Sequence, residues 1–303
     1  MPLVVGGAAL AAVVLAGVGG ERPGTAAAAP ADVQAGRSLY DRLCATCHGP
    51  AGRGDGPSAA GLATRPADLA DGRLMNRLPE EFVVNVIMNG GPAEGLAPTM
   101  PPFRGNLNAD QARQIVAYLR TLAEPPWKSG DSLPVVHVPE APVQPIFFSH
   151  LIHAGSFGID CQYCHSGARR GAAAGLPSVE RCMGCHKVIG AQDNPEIKKI
   201  HEYWNRQQPI PWVRVFKVPE FTFFPHKPHV RAGVQCQTCH GPVERMRVVG
   251  AATGPRLGND LVNLIGLRPP PPPLTMGWCV DCHREQNRTQ GRAAPLDCVA
   301  CHH

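Results

Sequence analysis

Twelve cysteines in six identical patterns constrain this 303-residue chain more than any other feature. Every cysteine belongs to a C-x-x-C pair, and a histidine follows each pair directly. The pairs are Cys44/Cys47, Cys161/Cys164, Cys182/Cys185, Cys236/Cys239, Cys279/Cys282 and Cys298/Cys301. The histidines that follow them are His48, His165, His186, His240, His283 and His302.

C-x-x-C-H is the attachment signature of c-type haem, in which the two thiols become thioethers and the histidine is the proximal iron ligand. Zinc ribbons, dithiol redox motifs and disulfide frameworks also use paired cysteines, but they do not require a histidine after every pair. Histidine is 13 of the 303 residues. Six chance placements therefore have odds on the order of 10⁻⁸. The sequence predicts six covalently bound haem c groups.

Composition predicts a mainly α fold with much irregular loop. The chain holds 33 Gly and 32 Pro, with only 6% aromatic residues, so it is broken into short segments with little material for a dense core. Five of the six motifs follow Ile146, and at that density the haems themselves must form the core. The net charge of +5 says nothing about partners, because each ferric haem with ionised propionates carries about −1 and six of them nearly cancel it.

The first 29 residues predict export from the cytoplasm. Residues 2–20 contain no charged side chain, and the first charge is Glu21. A stretch of this length can cross a bilayer, whereas the small residues at 26–29 fit a signal-peptide cleavage site. A cleaved signal and a retained membrane anchor both remain open, and both predict the periplasmic side of the bacterial membrane for the rest.

Residues 30–125 predict a small helical domain with one haem. Residues at helical spacing lead directly into Cys44; they are Gly36, Leu39, Tyr40 and Leu43. Asn108 with Gln111 three residues later predicts a helix start. The buried face of that helix is predicted to be Ala112, Ile115, Val116, Leu119 and Leu122. The proline-rich residues 126–145 predict a linker, and residues 146–303 a pentahaem domain.

Electron-transfer haems usually take a second axial ligand from the protein. For the first haem the candidate is Met100, since Met88 lies in an apolar stretch typical of core. Two copies of F-x-H-x-x-H precede later haem motifs and supply His150, His153, His226 and His229. Two imidazoles three residues apart on a helical turn can serve two neighbouring haems. The fifth distal ligand stays open between Met276 and His201, with His303, Met246 and His137 behind them.

Two local resemblances follow from these motifs. Residues 31–123, from the first C-x-x-C-H through Gly52–Gly56 to Met100, resemble class I monohaem cytochromes c. The F-x-H-x-x-H segments resemble class III multihaem cytochromes, in which such a segment ligates its own haem and another nearby. These resemblances imply a class I helical domain followed by a class III-like domain whose core is the haems.

The C-terminal region also resembles the pentahaem subunit of bacterial alternative complex III. The residues that carry this likeness lie at 145–150, 158–165, 177–179, 211–215, 274–279 and 282–284. Phe216 departs from the pattern, because relatives are expected to carry histidine there. The resemblance implies that iron–sulfur (molybdopterin-like) and multi-span membrane subunits oxidise quinol. Electrons would then pass along the pentahaem part and leave through the His48/Met100 haem to a soluble cytochrome, a terminal oxidase or a reaction centre.

Two other functions stay open. The first is a free-standing periplasmic electron conduit, or a subunit of a related menaquinone-linked complex. The second is a haem enzyme that reduces an oxyanion, which needs an open iron position. Because the sequence offers enough His and Met to close all six irons, we expect no catalytic site on this chain itself.

Overall fold

The computed structural model describes residues 29–132, 135–136, 138, 141–188, 192–250 and 274–302. These ranges contain helices, turns and irregular loops, and within them the only β-pairing is two isolated bridges. The mainly α prediction is therefore confirmed. The expected signal or anchor, apart from Ala29, lies outside the described residues, as do His137 and His303. None of the helices in these ranges combines the length and the apolar character that a bilayer crossing requires.

The N-terminal part contains five α-helices packed around a conventional core. They are α1 Pro30–Leu43, α2 Ala45–His48, α3 Gly72–Met75, α4 Glu80–Asn89 and α5 Ala109–Leu122. Helices α1 and α5 cross where Gly36 meets the backbone of Gln114, and a Cβ at Gly36 would collide with the Gln114 carbonyl. The glycine therefore permits the close approach that brings the end of α1 beside the first haem motif.

Helix α5 starts where the sequence predicts. The Asn108 side chain accepts a hydrogen bond from the Gln111 backbone, and the Gln111 side chain accepts one from the Asn108 backbone at 2.9 Å. This reciprocal capping box satisfies two backbone donors at the helix end. Of the five positions predicted for its buried face, Ala112, Ile115, Val116 and Leu119 are buried, and Leu122 packs against the same cluster.

The C-terminal part consists of short helices joined by loops. Its described α-helices are α6 Cys161–Cys164, α7 Val179–His186, α8 Pro195–Asn205, α9 His226–Arg231, α10 Cys236–His240 and α11 Met276–Gln290. Its hydrophobic cluster is small and consists of Ile146, Val179, Met183, Ile200 and Ile210. Four of these six helices contain a C-x-x-C pair, so the helices are placed around haem sites, as the fold prediction required.

The two parts contact each other directly. Glu94 forms an ion pair with Arg247 at 2.5 Å, and Asn194 donates a hydrogen bond to the Gly95 carbonyl at 2.5 Å. The segment predicted as a linker follows the surface of both parts: the Val135 backbone donates to Glu81 at 2.7 Å, and Val136 donates to Arg245 at 2.8 Å. The polypeptide between the parts is therefore held by hydrogen bonds.

Candidate haem-binding sites

The first site lies at the junction of α1 and α2. Cys44 ends α1, and Cys47 and His48 lie on α2. The Nδ1 atom of His48 donates a hydrogen bond to the Ala67 carbonyl at 3.0 Å. Since a carbonyl can only accept, this bond places the proton on Nδ1 and leaves the Nε2 lone pair for a metal. Burial lowers the pKa of His48, which favours the neutral, ligating ring.

The two candidate thioethers for this site differ in their surroundings. Met88 packs against the N-terminal hydrophobic cluster, as the sequence predicts for a core residue. Met100 lies in a loop that closes on two glycines: Gly91 donates to the Met100 carbonyl at 2.9 Å, and a Cβ at Gly90 would lie 3.0 Å from that oxygen. This loop geometry presents the partly buried Met100 side chain outside the core cluster.

The twelve motif cysteines differ in exposure between the sites. Cys185, Cys236 and Cys298 are exposed, whereas the other nine, Cys282 among them, are partly buried. Burial raises the pKa of the Cys44 thiol to about 11. None of the twelve, all of which lie within the described ranges, is paired in a disulfide, so the disulfide alternative gains no support.

Cys185 on α7 and Cys282 on α11 lie close to thiols of other motifs. Burial raises the pKa of Cys164; nearby Arg181 lowers it, and the Cys185 thiol raises it further. Burial also raises the pKa of Cys239 to about 11, and the Cys282 thiol is the next cause. The structure therefore places Cys185 and Cys282 where neighbouring sites meet. Haem attachment at all twelve cysteines stays a prediction from the motifs.

Several histidines of the C-terminal part repeat the Nδ1 arrangement of His48. The distances from Nδ1 to a carbonyl oxygen are 2.8 Å for His165, 2.9 Å for His153, 2.5 Å for His226, 2.8 Å for His229 and 2.7 Å for His283. The carbonyls belong to Gly175, Ser149, Ala172, Pro225 and Pro295. Sequence reasoning missed these partners, because main-chain carbonyls exist at every residue and leave no side-chain signature.

The histidines form four facing pairs, and each pair joins one proximal to one distal candidate. His150 faces His165 with ring centroids 6.5 Å apart and planes 4° from parallel. His226 faces His240 at 6.2 Å and 5°. In both cases the first histidine of an F-x-H-x-x-H segment meets the histidine of the next C-x-x-C-H motif.

The second histidine of each F-x-H-x-x-H segment faces the histidine of the second C-x-x-C-H motif after that segment. His153 faces His186 at 6.2 Å, with the rings inclined by 60°. His229 faces His283 at 6.0 Å and 32°. The same pairing rule therefore occurs twice, which indicates an internal duplication of a unit with two candidate haem sites.

These separations fit an iron between the two rings. A metal–imidazole nitrogen distance is about 2 Å, and adding the distance from nitrogen to ring centre on each side gives roughly 6 Å between centroids. A protein-bound zinc would instead need three or four ligand side chains converging on one point. Within the described ranges no group of three or more His, Cys, Asp or Glu side chains converges in that way.

In each F-x-H-x-x-H segment, the phenylalanine ring contacts both histidines of that segment. Phe148 packs edge-on to His150 at 4.9 Å and stacks on His153 at 4.3 Å. Phe224 makes the corresponding contacts with His226 and His229 at 4.9 and 4.6 Å. Because the phenylalanine ring packs against both imidazoles, it limits their rotation. The phenylalanine of the motif therefore positions the histidines, a role that the sequence alone did not reveal.

Burial favours the neutral form of several of these imidazoles, among them those of His150, His186, His229 and His240. It lowers the pKa of His150 to about 4, with smaller contributions from His165 and His153. It is also the largest cause of the lowered pKa values of His186, His229 and His240. A neutral imidazole is the form that binds a metal. The sites therefore offer nitrogen lone pairs without prior loss of a proton.

The fifth C-terminal motif differs from the other four. The described ring contact of His302 is with Phe221 at 5.8 Å, and its Nδ1 donates to the Phe221 carbonyl at 3.4 Å. Among the described residues no second imidazole faces it. The Nε2 atom of His201 is hydrogen-bonded to the His186 carbonyl at 3.1 Å, whereas Met276 is 70% exposed at the start of α11.

Comparison with known proteins agrees with this two-part organisation. Residues 31–119 match the family model "Cytochrome C oxidase, cbb3-type, subunit III", and residues 222–303 match "Cytochrome c7 and related cytochrome c". These matches imply covalently bound haem c and confirm a cytochrome c domain followed by a multihaem domain. The likeness to alternative complex III stays a prediction.

Two individual proteins resemble the chain. A solved chain of the Kuenenia stuttgartiensis reducing HAO-like protein complex is 22% identical, with a TM-score of 0.28, over 46% of this chain and 67% of that one. The multihaem cytochrome c subunit of menaquinone reductase from Nitratidesulfovibrio vulgaris is 30% identical over 164 residues, which are 52% of this chain and 76% of the relative. The chain therefore belongs to the family of multihaem cytochromes c that includes this menaquinone reductase subunit.

Proposed function

We propose that this chain is a six-haem electron-transfer subunit of a quinol-oxidising membrane complex on the periplasmic side, similar to alternative complex III. The observation that carries the electron-transfer role is the four facing histidine pairs, with centroids 6.0 to 6.5 Å apart. Each pair would supply two imidazole nitrogens to one haem iron and leave no position for a substrate. Such closure favours electron transfer over chemistry on a bound substrate, which needs an exchangeable position.

Each haem, when bound, supplies an iron that alternates between two oxidation states and so carries one electron. The residues of the chain hold and tune that iron. The twelve cysteines anchor the rings, the six motif histidines supply the proximal nitrogens, and five side chains supply distal atoms. We assign those distal ligands to Met100, His150, His153, His226 and His229. Thioether ligation raises the potential relative to bis-histidine ligation, so the Met100 site, in the domain of residues 30–125, should be more oxidising than the four sites with two histidines.

For the His302 site we propose Met276 as the distal ligand in preference to His201. The hydrogen bond of His201 Nε2 occupies the nitrogen that an iron would need. Burial raises the pKa of the Cys279 thiol, and the neighbouring Cys301 thiol is the next cause. The start of α11, where Met276 lies, is therefore close to the His302 motif.

The ligand assignment is tested with two matched variants. Met276→Leu should convert one low-spin haem of the purified holoprotein to a high-spin form, whereas His201→Leu should leave all signals low-spin. The reverse result, with high-spin signals only in His201→Leu, contradicts the choice of Met276. Electron paramagnetic resonance of the oxidised protein distinguishes the two spin states.

The membrane role draws support from the relative, which is named a subunit of menaquinone reductase. That name also favours a second candidate, in which electrons flow from a periplasmic donor to menaquinone. The test is purification of the full-length chain from solubilised membranes with its partners, followed by a haem count and a redox titration. Quinol-dependent reduction of the haems, with the Met100 site at a higher potential than the four sites with two histidines, supports the first direction. A Met100 site at the low end of the six reverses it, and a chain that elutes alone is a free-standing conduit.

A further inference from the structure

We infer that the haem sites of the C-terminal part are ordered in space differently from their order in the sequence. The Cys161 site lies between the Cys182 and Cys236 sites, and the row continues to the Cys279 and Cys298 sites. The N-terminal domain lies beside the Cys182 end. This inference rests on the proposed haem sites and adds to them a route through the molecule.

The first link joins the Cys161 and Cys182 sites. Their distal histidines, His150 and His153, are three residues apart, at the start of and within the single π-helical turn Leu151–Ser156. One faces His165 and the other faces His186. Two sites that take ligands from one turn must be neighbours.

The second link joins the Cys161 site to the Cys236 site through two backbone contacts. The loop after His165 accepts the first turn of α9: His226 donates its backbone N–H to Ala172, and Lys227 donates to Gly171, both at 3.1 Å. On the other side, Leu151 donates its backbone N–H to Met246 at 3.0 Å.

Gly155 shows how closely these two sites approach each other. It packs against the Glu244 carbonyl so tightly that a Cβ would collide with it. Residue 244 follows α10, which carries the Cys236 motif. The Cys161 site is thus enclosed by elements of the Cys236 site as well as by those of the Cys182 site.

The remaining links follow from α9 and from the C-terminus. His226 and His229 lie on α9 and face the histidines of the Cys236 and Cys279 sites. The segment before α9 pairs with the last motif, since Phe223 donates its backbone N–H to Cys301 at 2.8 Å. Thr222 also forms an isolated β-bridge with His302, so the Cys298 site lies beside α9 and belongs at the same end of the row as the Cys279 site.

The N-terminal domain contacts the Cys182 end of this row. The Phe147 ring packs on Gly95, where a Cβ would lie 2.6 Å from it, and the next residue, Phe148, stacks on His153. Asn194, which caps α8 shortly after the Cys182 motif, donates to the Gly95 carbonyl. Gly95 is five residues before Met100 in the same loop. Glu94, in the same loop, also pairs with Arg247, which follows the Cys236 motif. The His302 site is therefore the end of the row that lies away from the Met100 site.

The direct test is a cryo-electron microscopy map of the full-length holoprotein, in which the irons are located and assigned to their motifs. We expect the Cys161 iron to have the Cys182 and Cys236 irons as its two nearest neighbours. A map with the Cys182 iron between the other two overturns the inference. A haem count below six in the same preparation would instead contradict the proposed function, so the two failures are distinguishable.

A matched pair of variants gives a second readout. His153→Met changes a ligand of the Cys182 site and should shift the midpoint potentials of that site and of the Cys161 site, with the Cys236 site unchanged. His229→Met is the control, since it should shift the Cys236 site under either order. A Cys236 shift in His153→Met as large as that in the control would refute the spatial order. Nuclear magnetic resonance of the haem methyl groups during redox titration resolves the individual sites.

Discussion

Removing Arg247 should lower the free energy of unfolding by more than removing a partner of an exposed ion pair does, because Arg247 pairs with a buried carboxylate between the two parts of the chain. Its guanidinium lies 2.5 Å from Glu94, whose side chain is only 1% exposed, and it also donates to the Ala93 carbonyl at 2.7 Å. The Arg247→Ala variant leaves a carboxylate buried without its cationic partner. Breaking a buried pair in this way costs about 3 to 5 kcal/mol.

The control is an ion pair of similar length on the surface. Arg113 and Asp110 are 2.6 Å apart, but their side chains are 55% and 87% exposed, and such pairs contribute about 0 to 1 kcal/mol. The assay is guanidinium unfolding of the holoprotein, followed by circular dichroism in the Soret band. Arg113→Ala should lower the free energy of unfolding by no more than about 1 kcal/mol.

A double variant separates the buried charge from lost packing. In Arg247→Ala with Glu94→Gln the buried group is uncharged, so part of the loss should be recovered, on the order of 1 kcal/mol or more. If Arg247→Ala unfolds within about 1 kcal/mol of the unmodified protein, the argument for a buried interdomain ion pair is refuted. A double variant that is less stable than the single one would show that lost packing dominates.

Three further predictions concern the sites and the N-terminal core. The near-parallel His150/His165 rings, at 4°, should give a rhombic low-spin electron paramagnetic resonance signal. The rings of His153 and its partner, inclined by 60°, should give a strongly axial one. Six identical signals would contradict this geometry. Tyr40→Phe removes a 2.6 Å hydrogen bond to the Gly49 carbonyl and should cost about 1 to 3 kcal/mol in thermal unfolding. Asn108→Ala removes the α5 cap and should cost about 1 kcal/mol in the same assay, with no change in haem spectra.

The sequence was sufficient to predict those features of the structure that depend on residues close together along the chain. Covalent haem attachment requires its cysteines and histidine within five residues, so the six motifs can be recognised directly in the sequence. The α5 capping box is equally local, since Asn108 and Gln111 are three residues apart and both of their bonds form. The F-x-H-x-x-H repeat indicated distal ligands because both of its histidines lie on one turn.

Features that depend on distant contacts could not be predicted. The orientation of His226 and His229 depends on how the loop at Gly171 and Ala172 holds α9, and main-chain hydrogen bonds have no side-chain signature. The ion pair of Glu94 and Arg247 joins the two parts of the chain across a long sequence separation. Residues 126–145 lack periodicity and therefore predicted only a linker, although Val135 is buried in the N-terminal cluster.

The duplicated two-haem unit explains how so small a hydrophobic cluster can organise the C-terminal part. Each unit needs one turn to supply two distal imidazoles, one phenylalanine to fix their planes, and two C-x-x-C helices to present the proximal ones. Such a unit cannot bury its own surface with side chains, because the cluster around Met183 and Ile200 is small. Its stability must come from the groups bound between the ring pairs and from the neighbouring unit. The same contacts that stabilise the row thus bring the sites together, so stability and electron transfer depend on one set of backbone hydrogen bonds.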